Sequence, residues 1–238
     1  MKHVLTSLLC IFSLYCFAQD NTIINDKNAQ VRSVGSFSEI RVSGAIDLYL
    51  AQSTTEAVAV SSNDDKYTEK IKTEVKDGVL NIYFKSEGLG FNWGNKKLKA
   101  YVSFKNISGL EISGASSCKI TGTINLDDLK LKLSGASDIA GKINIKKLVI
   151  NLSGASDAKL SGIATNTDIS CSGASNLKAY DLIADDCVAH ASGASDIHIT
   201  AKNQISVNAT GASSIHYKGN AVIKDMHSSG ASSVSKKD

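Results

Sequence analysis

Acidic side chains recur at one position of a repeated motif in this 238-residue sequence. Asp138, Asp157 and Asp196 each lie three residues after the glycine of a Ser-Gly-Ala-Ser tetrapeptide. A row of carboxylates could contact a ligand or bind Ca²⁺, but Ca²⁺ takes about six to eight oxygen ligands and the row offers fewer. Short acidic side chains also bond their own backbone at turns. The alternatives are therefore a ligand contact and a turn-stabilising role, and the ligand count favours the second.

Two histidines, His198 and His216, lie five residues after the glycines of consecutive repeats. Imidazoles on neighbouring repeats could share a transition metal. A structural zinc site takes about four protein ligands, however, and a catalytic site about three. The sequence therefore predicts no metal and no cofactor, and it leaves His198 and His216 as the residues that a metal would use.

The single tryptophan, Trp93, lies with Phe91 in a glycine-rich segment, 87–95. Loops between strands often carry binding residues, and an exposed aromatic ring can stack on a sugar. The two rings could instead fold over an open end of the repeats. Ligand contact and cap are both kept as interpretations of Phe91 and Trp93.

The sequence shows no constellation of catalytic residues. It contains no Gly-x-Ser-x-Gly elbow, no paired nucleophile and base, and no phosphate-binding loop. Enzymes that cleave polysaccharides need paired carboxylates or a basic residue at a substrate groove, and the two arginines, Arg32 and Arg41, both precede the repeats. We predict that the protein is not an enzyme. A net charge of +3 without a basic stripe also argues against nucleic-acid binding.

Seven tetrapeptides position these side chains, six reading Ser-Gly-Ala-Ser and one Thr-Gly-Ala-Ser, and their glycines are separated by 18 to 21 residues. The glycines are Gly114, Gly135, Gly154, Gly173, Gly193, Gly211 and Gly230. A period near 19 residues that drifts slightly is typical of stacked coils, because neighbouring coils bury each other's faces while the corners tolerate insertions. Glycine suits such corners, and we interpret the tetrapeptide as structural. An ordered row of serine hydroxyls that binds a sugar is the alternative.

Apolar and polar residues alternate on both sides of each glycine. Apolar or small residues stand two before it, beginning with Ile112, Leu133 and Leu152, and four after it, beginning with Cys118 and Ile139. A period of two predicts strands with one buried face, joined by the glycine corner. Each repeat is too short for a strand, a helix and a return strand. We predict an all-β fold, a single-stranded, right-handed parallel β-helix or solenoid of about 19 residues per coil, with a less regular N-terminal β cap.

Four segments follow from this pattern. Residues 1–18 combine Lys2, an apolar run and Ala18, which is typical of a signal peptide cleaved after Ala18; a lipoprotein modified at Cys16 is the alternative. Residues 19–33 are expected to be a flexible segment. Residues 34–108 are expected to form irregular first coils and the cap, with a short helix in 64–75. Residues 109–238 are expected to form the regular β-helix, and 34–238 to be one domain.

The remaining cysteines fall in inward positions. Cys118, Cys171 and Cys187 occupy columns that otherwise hold apolar residues, so we expect three buried free thiols. No apolar run after the signal peptide is long enough to span a bilayer. The chain is therefore expected to be exported, to the periplasm, the cell surface or the medium.

Three motifs carry a family resemblance that covers residues 34–238. They are the opening from Phe37 to Leu50, the Asp77-Gly78 entry to a strand, and the serial Ser-Gly-Ala-Ser corners that are often followed by Asp. Together they resemble the family of bacterial envelope proteins called putative autotransporter adhesin, head GIN domain. The resemblance implies a noncatalytic, adhesin-like or structural protein of the envelope or medium, whose partner is a surface glycan or protein. The alternative is a β-helix protein that binds or cleaves polysaccharide. The sequence lacks the translocator barrel of an autotransporter, and the resemblance supplies no catalytic residues.

Overall fold

A computed structural model describes residues 26–85 and 96–238. Within those residues the chain forms one 16-stranded sheet and one short helix. The predicted signal peptide, 1–18, and the aromatic residues Phe91 and Trp93 lie outside the described residues. No helix in the described part is long and apolar enough to cross a membrane.

The N-terminal half holds eight strands and the helix. Their bounds are β1 (Gln30–Arg32), β2 (Glu39–Ser43), β3 (Ile46–Gln52), β4 (Ala57–Ser62), α1 (Asp65–Thr68), β5 (Ile71–Lys76), β6 (Val79–Phe84), β7 (Leu98–Phe104) and β8 (Gly109–Ile112). In this half β4 pairs antiparallel with β1 and with β7, as does β5 with β6. In contrast, β2 pairs parallel with β6 and β8, and β3 pairs parallel with β7 and β9. The antiparallel pairs form the cap, and β2 and β3 join it to the coils.

The repeats form long strands that stack in parallel. Their bounds are β9 (Ser117–Leu133), β10 (Asp138–Leu152), β11 (Asp157–Cys171), β12 (Asn176–Ala191), β13 (Asp196–Ala209), β14 (Ser214–Lys218), β15 (Val222–Ser228) and β16 (Ser233–Lys236). Parallel pairing runs from β9 through β13, then to β14 and β15 and finally to β16. The predicted parallel β-solenoid is confirmed, with about 7 turns of ~19 residues per coil.

The predicted inward columns lie in register from coil to coil. Four residues after the corner glycines, Cys118 pairs with Ile139, and the column continues to Ala158, Leu177 and Ile197. All five of these side chains are buried. Equivalent apolar residues therefore stack along one axis, about 4.8 Å apart, and form one continuous core.

The long strands β9 to β12 share a break in the alternation of buried and exposed residues, as at a bend. In β10 the buried residues are odd-numbered up to Ile145 and even-numbered from Leu148, because Lys146 and Lys147 are both exposed. The pairs Asp127 and Asp128 in β9 and Thr165 and Asn166 in β11 lie at the same place. Two consecutive exposed residues turn the strand, so this bend recurs in the same part of successive coils.

The predicted helix in 64–75 is mostly wrong. Only Asp65–Thr68 is helical, begun by the Asp64 side chain, which accepts a hydrogen bond from the backbone N–H of Lys66. The rest of the segment is β5, whose residues alternate and pair antiparallel with β6. Asp77 and Gly78 join the two strands with φ of 51° and 77°, the left-handed angles of a tight two-residue hairpin. Pairing with β6 therefore outweighs the weak local helix preference.

The described end of the segment predicted to be flexible, 19–33, is tied to the cap. Gln30–Arg32 pairs with β4, and Asp26 accepts hydrogen bonds from Ser61 and Tyr101. At the other end of the stack, the β15 residues that align with the core columns are exposed, Ile223 by 43% and Met226 by 47%. Both ends thus differ from the regular coils, which are covered by a coil on either side.

Candidate ligand-binding surfaces

The corner glycines stack directly on one another. Gly173 has φ of +74°, and a Cβ atom there would lie 2.6 Å from the carbonyl oxygen of Gly154. The next residue, Ala174, donates its N–H to that same oxygen at 2.8 Å. Both the backbone angle and the close approach require glycine, which supports the structural interpretation of the tetrapeptide.

The last serine of each tetrapeptide points inward. Six of these serines are at most 1% exposed: Ser116, Ser137, Ser156, Ser175, Ser195 and Ser213. Ser195 donates its hydroxyl at 2.9 Å to the carbonyl of Ser192, with the carbonyl of Cys171 on the preceding coil at 3.2 Å. Because these hydroxyls bond to backbone carbonyls inside the corner, the buried serines form no surface for a sugar.

The predicted acidic column lies on one outer face of the solenoid. Asp138 and Asp157 are register partners on adjacent strands, as expected, and Asp196 lies farther along the same column, after Asn176. Lys178 lies 3.3 Å from a carboxylate oxygen of Asp157, and both side chains are about half exposed. Within the described ranges no group of three or more His, Cys, Asp or Glu residues could hold a metal ion. The column is a solvated, partly charge-paired face.

His198 and His216 are register partners with ring centroids 5.1 Å apart, as predicted. Tyr180 lies edge-on to His198 at 5.0 Å, and Nδ1 of His216 lies 2.7 Å from the hydroxyl of Ser235. Partial burial lowers the pKa of His216, and the positive charges of Lys237 and His198 lower it further. The two imidazoles thus belong to a row of aromatic rings in contact with one another, together with Tyr180.

The three predicted free thiols are free and buried. Burial raises the pKa of Cys171 and of Cys187 to about 12, and it also raises the pKa of Cys118. Since the thiolate is the reactive form, these cysteines are unsuited to nucleophilic chemistry or to metal binding. They act as small apolar residues of the core.

A long groove follows the bend of the coils and has a volume of about 1170 Å³. One outward column of side chains lines it: Asn125, Asn144, Ile163 and Ile183, which pair in register on β9 to β12. The exposed pairs at the bend form its other side. We call this feature the bend groove. It crosses five consecutive coils from residue 125 to residue 202, and Ser38 and residues 106–108 line its N-terminal end.

The bend groove is lined by amides and isoleucines on one side and by ion pairs on the other. The side-chain amide of Asn144 donates to that of Asn125 at 2.9 Å, whereas the next two positions carry Ile163, 56% exposed, and Ile183, 44% exposed. Along the opposite side, Lys146 pairs with Asp127 at 2.7 Å and Lys202 lies 3.7 Å from Asp185. The groove is therefore amphipathic, and its charges are largely balanced by one another.

The bend groove was not predicted from the sequence. Its signal is the repeated break in alternation, in which two polar residues replace one between the inward columns. A second signal is the pair of isoleucines in an outward column that otherwise carries polar residues. Neither signal resembles a catalytic or metal-binding motif. The candidate residues named from the sequence, Asp138, Asp157, Asp196, His198 and His216, lie outside the groove.

A capped parallel β-solenoid with an open surface groove defines the class of protein. The chain belongs to the family described as putative auto-transporter adhesin, head GIN domain, whose sequence profile matches residues 36–221. The resemblance seen in the repeated corners is thus confirmed.

Solved structures share the fold. A putative adhesin from Bacteroides fragilis NCTC 9343 is 24% identical, with a TM-score of 0.81 over 89% of this chain and 98% of that one. A putative lipid binding protein from Parabacteroides distasonis ATCC 8503 is 22% identical, with a TM-score of 0.62 over 90% and 98% of the two chains. A putative adhesin from Parabacteroides merdae ATCC 43184 is 17% identical, with a TM-score of 0.68 over 89% and 96%. At these identities the likeness shows the fold alone. No curated protein matches the chain significantly.

Proposed function

We propose that the protein is an exported, noncatalytic binding protein with an adhesin-like role at the cell envelope or in the medium. The family description and the adhesin names of the similar structures support this role. The observation that carries it is the bend groove, in which five successive coils present side chains to one continuous surface. A stack of hydrogen-bonded coils holds such a surface rigid, which suits binding to an extended partner.

Several features favour binding over catalysis. The described thiols are buried and their pKa values are raised. The carboxylates that line the groove are Asp127, Asp128 and Asp185, and two of them are paired with lysines, Asp127 with Lys146 and Asp185 with Lys202. A glycoside-cleaving enzyme needs two carboxyl groups that are free to act on the sugar. Polysaccharide cleavage is therefore the weaker alternative.

Export and domain organisation complete the proposal. Residues 1–18 direct the chain out of the cytoplasm, and residues 34–238 act as one domain in which 34–108 caps the regular coils. Continuous pairing supports the single domain, because β3 and β8 of the first part both pair with β9 of the second.

Adhesion of the purified chain tests the proposed function. Fluorescent beads coated with folded protein should adhere to bacterial surfaces or to immobilised envelope polymers, and beads coated with heat-denatured protein should not. Cell fractionation of the full chain and of a variant lacking 1–18 tests export. Equal adhesion of folded and denatured coatings would contradict the binding role, and cytoplasmic retention of the full chain would contradict the export.

A further inference from the structure

We propose that the bend groove binds a linear, neutral glycan laid along the solenoid axis. This inference rests on the proposed binding function and names the partner's chemistry. The bend groove lies apart from the acidic column and from the histidine pair.

The groove repeats along its length at the spacing of the coils. Asn125, Asn144, Ile163 and Ile183 follow one another on adjacent strands, about 4.8 Å apart. From residue 125 to residue 202 the groove covers four coil steps, roughly 20 Å. One sugar residue of an extended glycan advances by nearly one such step. Successive sugars can therefore meet equivalent positions on successive coils, and about four of them fit the groove.

An extended peptide fits this spacing less well. Side chains on one face of an extended strand recur every second residue, about 6.6 Å apart, so they fall out of step with the coils after one repeat. Bonding through the peptide backbone would require an open strand edge. Along the groove β10, β11 and β12 are instead paired on both sides, and in β9 the backbone N–H and carbonyl of Asn125 bond to the Gln52 side chain.

The side chains of the groove match the two kinds of surface on a sugar. Asn125 and Asn144 use one amide–amide bond between them, and Asn125 also donates to the carbonyl of Thr123, which leaves acceptor and donor positions for hydroxyl groups. Ile163 and Ile183 present apolar surface on which the C–H face of a sugar ring can lie. Burying that surface gives the free energy of binding, and the amides orient the ring.

The charge of the groove selects a neutral glycan. Its lysines face aspartates in the pairs Lys146–Asp127 and Lys202–Asp185, and Asp128 adds a further negative charge. Both lysines in the lining of the groove are paired with aspartates, so the lining offers no unpaired cationic row to receive an acidic polymer. Uronic-acid polymers are therefore disfavoured.

Calorimetric titration of the full chain tests the inference. The ligands are linear neutral hexasaccharides of glucose, mannose and N-acetylglucosamine. At least one should bind, and hexagalacturonate should bind at least about tenfold more weakly because of the carboxylates. Ile163→Ser and Ile183→Ser should each weaken binding about tenfold, since each removes apolar contact area. Val188→Ser is the matched control, because Val188 is 39% exposed but lies outside the groove, and its affinity should equal that of the native protein.

The outcomes separate this inference from the proposed function. If coated beads adhere but no neutral hexasaccharide binds, or if both isoleucine variants bind as well as the native chain, the glycan groove is wrong and adhesion stands. Preferential binding of hexagalacturonate or of an extended peptide would also overturn it. If native beads fail to adhere, the proposed function is wrong whatever the titrations show. Circular dichroism and melting of each variant verify that the solenoid is folded.

Discussion

Gly173 lies directly over Gly154, so that a side chain on the upper glycine would occupy the place of the lower carbonyl oxygen. A Cβ atom added to Gly173 would lie only 2.6 Å from that oxygen. The oxygen is already the acceptor for the N–H of Ala174. The corner ladder is therefore a backbone structure in which three features coincide: a left-handed backbone angle, a coil-to-coil hydrogen bond and a contact too close for any side chain.

Gly173→Ala should destabilise the protein by about 3 kcal/mol, because it combines backbone strain with a clash that shifts the adjacent coil. Gly122→Ala is the control. Gly122 has φ of +76° but nothing within 4 Å of the position that a Cβ atom would take. The substitution should therefore cost only about 1 kcal/mol, from backbone strain. Urea unfolding of both variants measures the difference. Equal losses would show that the close approach adds nothing.

Leu133→Ala and Leu152→Ala should each cost about 2 to 5 kcal/mol, because both side chains are at most 1% exposed and neighbouring coils hold the cavity open. Asp157→Ala should change the stability by less than about 1 kcal/mol, since its ion pair with Lys178 is exposed. Chemical denaturation of the three variants compares the two faces of the strands. Similar losses at all three positions would contradict the assignment of inward and outward columns.

Ser195→Ala should lower the free energy of unfolding by about 1 to 2 kcal/mol, because two backbone carbonyls lose a buried donor. The exposed Ser233 occupies an outward column, and Ser233→Ala is the matched control, with an expected change near zero. Thermal melting of the two variants makes the comparison. A harmless Ser195→Ala would mean that the inner serines are not structural.

The solenoid could be predicted because its information is local and repeated. The corner at Gly154 and Gly173, with its apolar columns, occurs seven times in the sequence. An ambiguous repeat can therefore be interpreted from the other repeats. The cap has no repeats, and there the prediction failed at Ile71 and Val75. These residues form a strand because β6 is available to pair with them, and that partner is set by tertiary structure.

The bend groove forms where outward-facing residues of neighbouring coils lie side by side. The alternation within one strand does not show which residues of two coils become neighbours. Ile163 and Ile183 lie one full coil apart in the sequence, and they become neighbours only when the register of β11 and β12 is known. The acidic column and the histidine pair could be singled out from the sequence because carboxylates and imidazoles are common metal ligands and catalytic groups. Isoleucine and asparagine carry no such signal, although they line the bend groove.

The three described cysteines should be unreactive toward Ellman's reagent in the folded protein and fully reactive in guanidinium chloride. Burial raises the pKa of Cys171 and Cys187 to about 12, so almost no thiolate is present near neutral pH. Cys10 and Cys16 should first be changed to serine so that only the core thiols are counted. Rapid reaction of any thiol in the native state would contradict its burial.

Asp26 should stabilise the N-terminal cap in a pH-dependent way. Its side chain is 13% exposed, and hydrogen bonds led by that from the Tyr101 hydroxyl at 2.7 Å lower the pKa of Asp26 from 3.8 to about 2. A lowered folded-state pKa means that the stabilisation is fully present above about pH 4 and is lost as the pH falls toward about 2.

Asp26→Asn should therefore reduce the free energy of unfolding at about pH 7 by about 1 kcal/mol, allowing for solvent screening of a partly exposed group. The difference between native and variant protein should shrink below about pH 4 and vanish only below about pH 2. Asp181→Asn, at an exposed position of β12, supplies the control for loss of a carboxylate. Urea denaturation at neutral pH and at the two acidic values measures all three proteins. A native-to-variant difference that stayed constant over this range would show that Asp26 acts through packing and not through its charge, because hydrogen bonds lower a pKa by favouring the charged form.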